Sequence, residues 1–404
     1  MPNTSPTASK PVNVAVVGLG FMGVTHLRAY LDNPAARIVA VCDVNRVPVN
    51  GVLPGVAGNI KKSDDIHLGS HVKTFSDLKE MLLDLEIEAV DLCTPTPLHP
   101  EQVMASLKAG KHVLCEKPLS DTLDDARAMA ETARRAPTIA RLGFTFWRTP
   151  GIAYIRELVR SGVLGKVLHF SGRYWTDYGC SPRAPISWRY KGGPGSGALA
   201  DVGSHLAYIA EFICGAMTSI GGGRLSTVIG DRPKPLGHVT GHEHVEVSDQ
   251  YEKVENDDYA AFSAEFENGA GALEVSRVAA GHPNGLVFEV FCENGAARFD
   301  QERPAEIELF LSEGDSAQNG YRQVILGPEH PYLAGGLPMD APGVGFGQND
   351  AFAYQARAFL EEVAGIGETS ALPRCATFDE GVHNMELLEA VTKSALAGGK
   401  QVAL

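Results

Sequence analysis

The feature that most constrains this chain lies near its start. A β-branched apolar run, Val12 to Val17, leads into Gly18-Leu19-Gly20-Phe21-Met22-Gly23 and then an amphipathic stretch to about Leu31. Strand, glycine turn and helix in that order predict a βα unit. A second apolar run, Ile38 to Cys42, ends at Asp43, twenty residues after Gly23, and completes a βαβ unit. Each glycine has a separate task in such a turn. Gly18 permits the tight bend, Gly20 lets the backbone approach a pyrophosphate, and Gly23 lets the helix pack closely on the sheet. The first helical residues, Phe21 and Met22 among them, present N–H donors and the positive end of the helix dipole. Asp43 is placed to accept hydrogen bonds from ribose hydroxyls, so the unit reads as a dinucleotide site, set against a plain structural turn as the alternative.

Asp43 favours NAD, because a 2′-phosphate would meet like charge there. Arg46, three residues on, leaves NADP open as the alternative, since a guanidinium can hold that phosphate; otherwise it is an ordinary surface charge. Beyond this unit, strand-like Glu88–Cys93, His112–Cys115 and Thr138–Phe144 alternate with helical Pro100–Ala109 and Thr122–Arg135. That alternation predicts an α/β Rossmann domain, a doubly wound parallel sheet over residues 12–144. After Phe144 the pattern changes. A helix from Ile152 to Ser161, a strand from Val167 to Trp175 and a Gly/Pro/aromatic loop to Gly197 open a second domain, residues 145–404. Two Asn-Gly pairs, Asn268-Gly269 and Asn294-Gly295, sit between strand-like runs and predict antiparallel hairpins with type I′ turns. Helical patterns return at Ala351–Val363 and Asp379–Ala397.

Composition narrows the partners. With 35 Lys+Arg against 49 Asp+Glu, the formal charge is −14, which opposes binding to nucleic acid or to an anionic membrane surface. Small molecules and protein are the expected partners. Seven scattered cysteines, an odd number without a C-x-x-C pair, suit free thiols in a reducing compartment. Residues 1–11 are polar and rich in Pro, Ser and Thr, and read as a disordered tail lacking the apolar core of a secretory signal. No run approaches a spanning helix. The expected location is the cytoplasm.

Three residues carry the expected chemistry. Hydride transfer from an alcohol needs a group to remove the hydroxyl proton and a cation or donor to stabilise the developing alkoxide. Lys117 stands just past a strand C-terminus, where ligands of open parallel sheets bind, and Pro118 constrains its backbone. Asp201 and His205 lie at i and i+4 of a helix start, on one face. The bland alternatives are a solvated lysine, a helix-capping aspartate and a satisfied histidine. The glycines of Gly192–Gly197 read as a loop shaped for close approach to a ligand.

At this point the residues resemble a known family, the glucose–fructose oxidoreductase/inositol dehydrogenase/rhizopine catabolism (Gfo/Idh/MocA) oxidoreductases. The likeness rests on Val16-Val-Gly-Leu-Gly-Phe-Met-Gly, Val41-Cys-Asp, Cys93-Thr-Pro-Thr-Pro-Leu-His-Pro-Glu, Glu116-Lys-Pro, Gly143-Phe and Gly197-Ala-Leu-Ala-Asp-Val-Gly-Ser-His. It implies a Rossmann domain followed by an α+β substrate-binding and oligomerisation domain. Its open, mainly antiparallel sheet would build a homodimer or homotetramer. It further implies that Lys117 contacts the substrate hydroxyl, that His205 is the general base in oxidation, and that Asp201 holds the two in register. Thr94, Pro95 and His99 would lie along the cofactor and Glu116 and Lys117 near the nicotinamide end, with Lys117-Pro118 often a cis peptide.

The stretch His330-Pro-Tyr and Gly343-Val-Gly-Phe-Gly-Gln looks like the branch that oxidises a pyranose at C3. Arg148, Trp175, Asp177, Trp188, Arg189 and Phe346 are then the candidate sugar contacts beside Lys117, Asp201 and His205; core packing is the alternative for the tryptophans. Where the family usually has Asn and Tyr after Gly-Phe, this chain has Thr145 and Phe146. His238, His242 and His244 have spacings a metal could use but lie in a polar insertion with no strand or helix pattern, so no metal is expected. The expected reaction is NAD-dependent oxidation of a secondary hydroxyl on a pyranose, anhydrosugar, glycoside or cyclitol. A glycosidase using transient C3 oxidation and a non-enzymatic sugar or dinucleotide sensor are the alternatives.

Overall fold

The computed structural model describes residues 10–56, 64–237, 239, 245–312, 319–333, 345–368 and 372–404. The three histidines of the polar insertion lie outside the described residues. Elements in the first half run β1 (Val12–Val17), α1 (Phe21–Leu31), β2 (Ala36–Cys42), β3 (Val52–Leu53), β4 (Ile66–His67), β5 (Lys73–Phe75), α2 (Leu78–Leu82), β6 (Ala89–Leu92), α3 (His99–Lys108), β7 (His112–Cys115), α4 (Leu123–Arg135), β8 (Ala140–Leu142), α5 (Pro150–Arg160) and β9 (Val167–Trp175). The second half continues with α6 (Ser204–Cys214), β10 (Met217–Ser226), β11 (Asp231–Pro235), β12 (Val247–Lys253), β13 (Tyr259–Phe266), β14 (Ala270–Ser276), β15 (Gly285–Cys292), β16 (Gly295–Asp300), β17 (Glu306–Leu311), β18 (Arg322–Ile325), α7 (Gln348–Val363), α8 (Phe378–Leu396) and β19 (Val402–Ala403). They form two compact units, one of residues 1–148, 331–338 and 348–383, the other of residues 149–330, 339–347 and 384–404.

The first unit is built on a six-stranded sheet in the order β5-β2-β1-β6-β7-β8, with every pair parallel. All six residues of β1 and all four of β6 are buried, as expected of strands covered on both faces. The chain winds outward from β1 in both directions, so the topological switch lies between β1 and β6. Local chemistry sets the helices. Thr122 caps α4 by accepting from the Asp125 amide, while Asp124 and Asp125 in the first turn and Arg134 and Arg135 in the last complement its dipole. The late segments close this unit. Leu142 of β8 bridges Ala376, the Thr145 hydroxyl donates to Gln355 at 2.9 Å, and Phe352 of α7 packs its ring 5.4 Å from that of His26 in α1.

The second unit holds a nine-stranded sheet, β18-β17-β16-β15-β9-β14-β13-β10-β19. The β9–β14 pair is parallel and the other pairs are antiparallel. Burial alternates along β13 and β15, which marks one face packed on the core and one open. α6 packs on β9.

Both expected hairpins form, β13–β14 and β15–β16, but neither has the expected type I′ turn. That turn needs positive φ at two successive residues, and of the four Asn-Gly positions only Gly269, at φ 102°, takes one. Gly295 instead enters β16, where an added Cβ would sit 2.2 Å from the Phe310 carbonyl oxygen. Close approach of the neighbouring strand, and not turn geometry, explains glycine there.

Candidate functional site

In the first unit the C-terminal ends of β1 and β6 meet at the glycine turn. Gly18 takes φ 84°, and a Cβ on it would lie 2.8 Å from the Cys93 carbonyl oxygen; a Cβ on Gly23 would lie 1.8 Å from the Gly18 carbonyl oxygen. These two glycines close the turn on itself. Gly20 differs, because an added Cβ would meet no protein atom within 4 Å. It leaves open space beside the start of α1, whose N-cap makes no side-chain hydrogen bond, so the first N–H groups, those of Phe21 and Met22 included, are suited to an anion. A dinucleotide pyrophosphate fits this cradle.

Asp43 ties the end of β2 to the turn. Its Oδ2 accepts from the Leu19 amide at 2.7 Å, and its Oδ1 accepts from the amides of Asn45 at 2.8 Å and Arg46 at 2.9 Å. The Arg46 guanidinium donates to the carbonyls of Leu19, at 2.9 Å, and Pro54, so it straps the turn to the segment after β2. Replacing Asp43 with Asn is expected to lower kcat/KM for NAD by roughly 10- to 100-fold, the scale of one hydrogen bond to a charged group. Activity with NADP is expected to fall less. Parallel steady-state assays with the two cofactors check this, and an unchanged NAD-to-NADP ratio would refute the ribose assignment.

Thr94 and Pro95 follow β6, and the Thr94 hydroxyl donates to Gln102. His99 is buried, with Nε2 2.9 Å from the Thr94 carbonyl and Nδ1 3.0 Å from that of Pro118. One ring therefore joins the loop after β6 to the loop after β7, which carries Glu116, Lys117 and a cis Lys117–Pro118 peptide. Arg148 is buried and its guanidinium donates to the Tyr332 hydroxyl and to the Pro373 and Arg374 carbonyls.

In the second unit, Leu199–Gly203 is a single π-helical turn running into α6. It carries Asp201 and leads to His205; such turns recur at functional sites because they rotate a side chain out of the α-helical register. Asp201 Oδ2 accepts from the Tyr178 hydroxyl at 2.8 Å, and His205 Nδ1 lies 2.7 Å from the Tyr208 hydroxyl. Burial, reinforced by the Asp201 carboxylate, holds the phenols of Tyr174 and Tyr178 above their ordinary pKa. Both therefore remain hydrogen-bond donors at neutral pH.

The glycine loop before Asp201 makes its close approach to the protein itself. The Asp257 carboxylate accepts from the amides of Gly195, Gly197 and Leu199 at 2.9, 3.1 and 2.8 Å, and a Cβ on Gly197 would lie 2.0 Å from the Asp257 carbonyl oxygen. The expected ligand-facing loop is thus a tether that fixes the π turn. A second tether holds the loop after β9. Arg277 pairs with Asp258 at 2.8 Å, both fully buried, and donates to the Arg189 carbonyl; Arg232 donates to the carbonyls of Gly179 and Ser181, and both guanidinium groups cover the Tyr190 ring. Removing one partner from such a buried pair costs about 3–5 kcal/mol.

Strand alternation sets Trp175 on the face opposite Tyr174. The Arg173 guanidinium covers the Trp175 ring and the His282 ring meets it edge-on, whereas the Tyr174 ring lies 6.1 Å from that of His205. Asp177 begins the loop after β9, Trp188 is 74% exposed beneath the Arg189 guanidinium, and Phe346 lies in the irregular residues before α7. Sequence reasoning passed over Tyr174, Tyr178, Tyr208 and Asp257, each of which acts through a partner distant in the chain or on a helix face.

The described residues contain no helix long and apolar enough to cross a membrane. The parallel sheet, its cradle at the switch point and the carboxylate after β2 define an NAD-binding oxidoreductase. A family model for the oxidoreductase family with an NAD-binding Rossmann fold matches residues 12–144, and the Gfo/Idh/MocA C-terminal domain matches residues 152–298. The chain belongs to the Gfo/Idh/MocA family. It is 31% identical over 392 residues to levoglucosan dehydrogenase of Pseudarthrobacter phenanthrenivorans, covering 95% of this chain and 96% of that one. It is 29% identical over 212 residues to D-glucoside 3-dehydrogenase of Escherichia coli, covering 52% and 56%. A solved structure of levoglucosan dehydrogenase with NADH and L-sorbose superposes with a TM-score of 0.80 at 27% identity, over 98% of this chain and 99% of that chain.

Proposed function

We propose that this protein is an NAD-dependent dehydrogenase that oxidises a secondary hydroxyl, at C3, of a pyranose, anhydrosugar or glycoside, with cyclitols in the same substrate class. The observation that carries the reading is the likeness to levoglucosan dehydrogenase, which extends over 95% of the chain. Bound NAD supplies the hydride acceptor. The protein supplies the rest: Lys117 donates to the reacting hydroxyl oxygen and lowers the cost of its negative charge, and His205 takes the hydroxyl proton. Asp201, its second oxygen engaged by Tyr178, holds the substrate in register with the base. The C–H bond and the O–H bond both break, a ketone forms, and one proton is released.

Arg148 is buried and committed to Tyr332, Pro373 and Arg374, and Trp175 stands on the strand face opposite the Tyr174 ring that neighbours His205, so neither is given to the sugar. Asp177, Trp188, Arg189 and Phe346 are assigned to it. The aromatic residues among them suit the apolar face of a pyranose and the charged ones its hydroxyls. A homodimer or homotetramer assembled through the open sheet face, working in the cytoplasm, completes the reading.

The test is an NAD reduction screen over levoglucosan, glucose, glycosides, inositols and sugar acids. Levoglucosan or a glucoside is expected to yield NADH together with a product bearing a ketone at C3. Glycoside cleavage without net NADH release would replace this reading with a glycosidase, and NADH binding without turnover of any compound would replace it with a sensor.

A further inference from the structure

Beneath the cofactor cradle lies a buried charge cluster that the proposed chemistry leaves unused. His26 of α1 is 3% exposed. Its Nδ1 lies 2.8 Å from Asp91 Oδ2, which also accepts from the Tyr30 hydroxyl at 2.8 Å. Its Nε2 lies 3.2 Å from Glu116 Oε1, an ion-pair contact in which neither atom makes an aligned hydrogen bond. The Cys93 thiol completes the cluster, 3.5 Å from Asp91 Oδ1. Burial and the Asp91 carboxylate push that thiol up to about 12, so it stays protonated at neutral pH.

Two carboxylates on the two nitrogens of one ring select the doubly protonated imidazolium, since a neutral ring turns a lone pair toward one of them. Burial works against that charge, but the Asp91 carboxylate carries the His26 pKa well above its ordinary value. The consequence falls on Glu116. Its Oε2 accepts from the Lys117 amide at 3.2 Å, and its Oε1 sits so close over Gly143 that a Cβ there would lie 2.7 Å away. The carboxylate is therefore held by His26 on one side, the Lys117 main chain on another and the end of β8 below. Without the imidazolium it loses the cation at its Oε1, and its hold on the Lys117 main chain loosens.

We propose that His26 is a positioning residue for Lys117: by bridging Asp91 of β6 and Glu116 after β7, it fixes the main chain from which the lysine reaches substrate. The inference rests on the assignment of Lys117 to the reaction made above. The same ring stands on the helix that begins at the glycine turn, so one side chain locks the cofactor helix, the switch strand and the lysine loop together. A misplacement of about 1 Å in a reacting group is enough to cost on the order of 10²-fold in rate.

The test compares wild type, His26→Gln, Glu116→Gln and the double variant in sugar-dependent NAD reduction, with NADH affinity measured by fluorescence. Each single variant is expected to lose roughly 10- to 100-fold in kcat with KM for the sugar within about threefold, and His26→Gln is expected to keep NADH affinity within about threefold. The double variant is expected to be no slower than His26→Gln, because Asp91 loses its cation in both and Glu116 is no longer a second stranded charge. Nitrogen NMR of the wild-type histidines supplies a readout that needs no substrate: His26 is expected to show both ring nitrogens protonated at neutral pH, and Glu116→Gln to lower the pH at which it loses one. If His26→Gln fails to fold, Glu116→Gln and the NMR titration decide. Wild-type kcat in the single variants, additive losses in the double variant, or a neutral His26 ring would each overturn the clamp. A wild-type enzyme that turns over no compound in the panel overturns the dehydrogenase reading instead, and the ring nitrogens then judge the clamp alone.

Discussion

Lys117→Ala is expected to lower turnover by on the order of 10²- to 10⁴-fold while NADH binds with near-wild-type affinity. The reasoning is one of timing. A lysine that only held cofactor would weaken binding and leave kcat largely intact, whereas a cation aimed at a developing alkoxide stabilises charge that exists only as the reaction proceeds. Lys117→Arg is expected to recover little, because a planar fork on a longer stem does not reproduce a compact ammonium at the same point. Steady-state kinetics and a fluorescence titration of NADH check both statements. Turnover within a factor of a few of wild type in Lys117→Ala would remove this residue from the reaction.

Gly23→Ala is expected to abolish measurable NADH binding, weakening it by about 100-fold or more, and to destabilise the fold by roughly 1–3 kcal/mol through overpacking. A Cβ at this position falls 1.8 Å from the Gly18 carbonyl oxygen, so α1 has to move off the sheet and take its N-terminal donors with it. Gly20→Ala is the informative partner. Its Cβ meets no protein atom within 4 Å, so stability is expected to change by less than about 0.5 kcal/mol. NADH affinity is nevertheless expected to fall, because the methyl group fills the cradle. Thermal unfolding and NADH titration of the pair separate a glycine needed for packing from one needed for ligand. Equal NADH affinity in Gly20→Ala and wild type would move the pyrophosphate elsewhere.

The parts of this molecule legible in its sequence are those written in local pattern. Val12–Val17 and the glycine spacing announce the turn because strand, bend and helix follow one another directly, and Asp43 is announced by its distance along the chain. The hairpins at Gly269 and Gly295 were legible as reversals, while their turn types were not, since close packing against Leu168 and Phe310 decides the backbone there. Long-range partners carry no local mark. Asp257 collects three amides from a loop some sixty residues earlier, and its neighbour Asp258 meets Arg277 across two strands. Asp91 did leave a trace. One acid within the apolar β6, buried on both faces, has to find a partner, and His26 and Tyr30, one helical turn apart on α1, are that partner.

The path of the chain also has a consequence for its synthesis. Residues 348–383 pack with residues 1–148, placing Phe352 against His26 and the Pro373 and Arg374 carbonyls on Arg148. On a ribosome the first unit therefore cannot finish folding when its own sheet has emerged, and must wait while the whole of residues 149–330 is made. During that interval the surface destined for α7 is open, and Arg148 lacks the carbonyls that hold it. A fragment stopped near residue 148 is caught permanently in that state, with the exposed apolar surface that draws chaperones or drives aggregation.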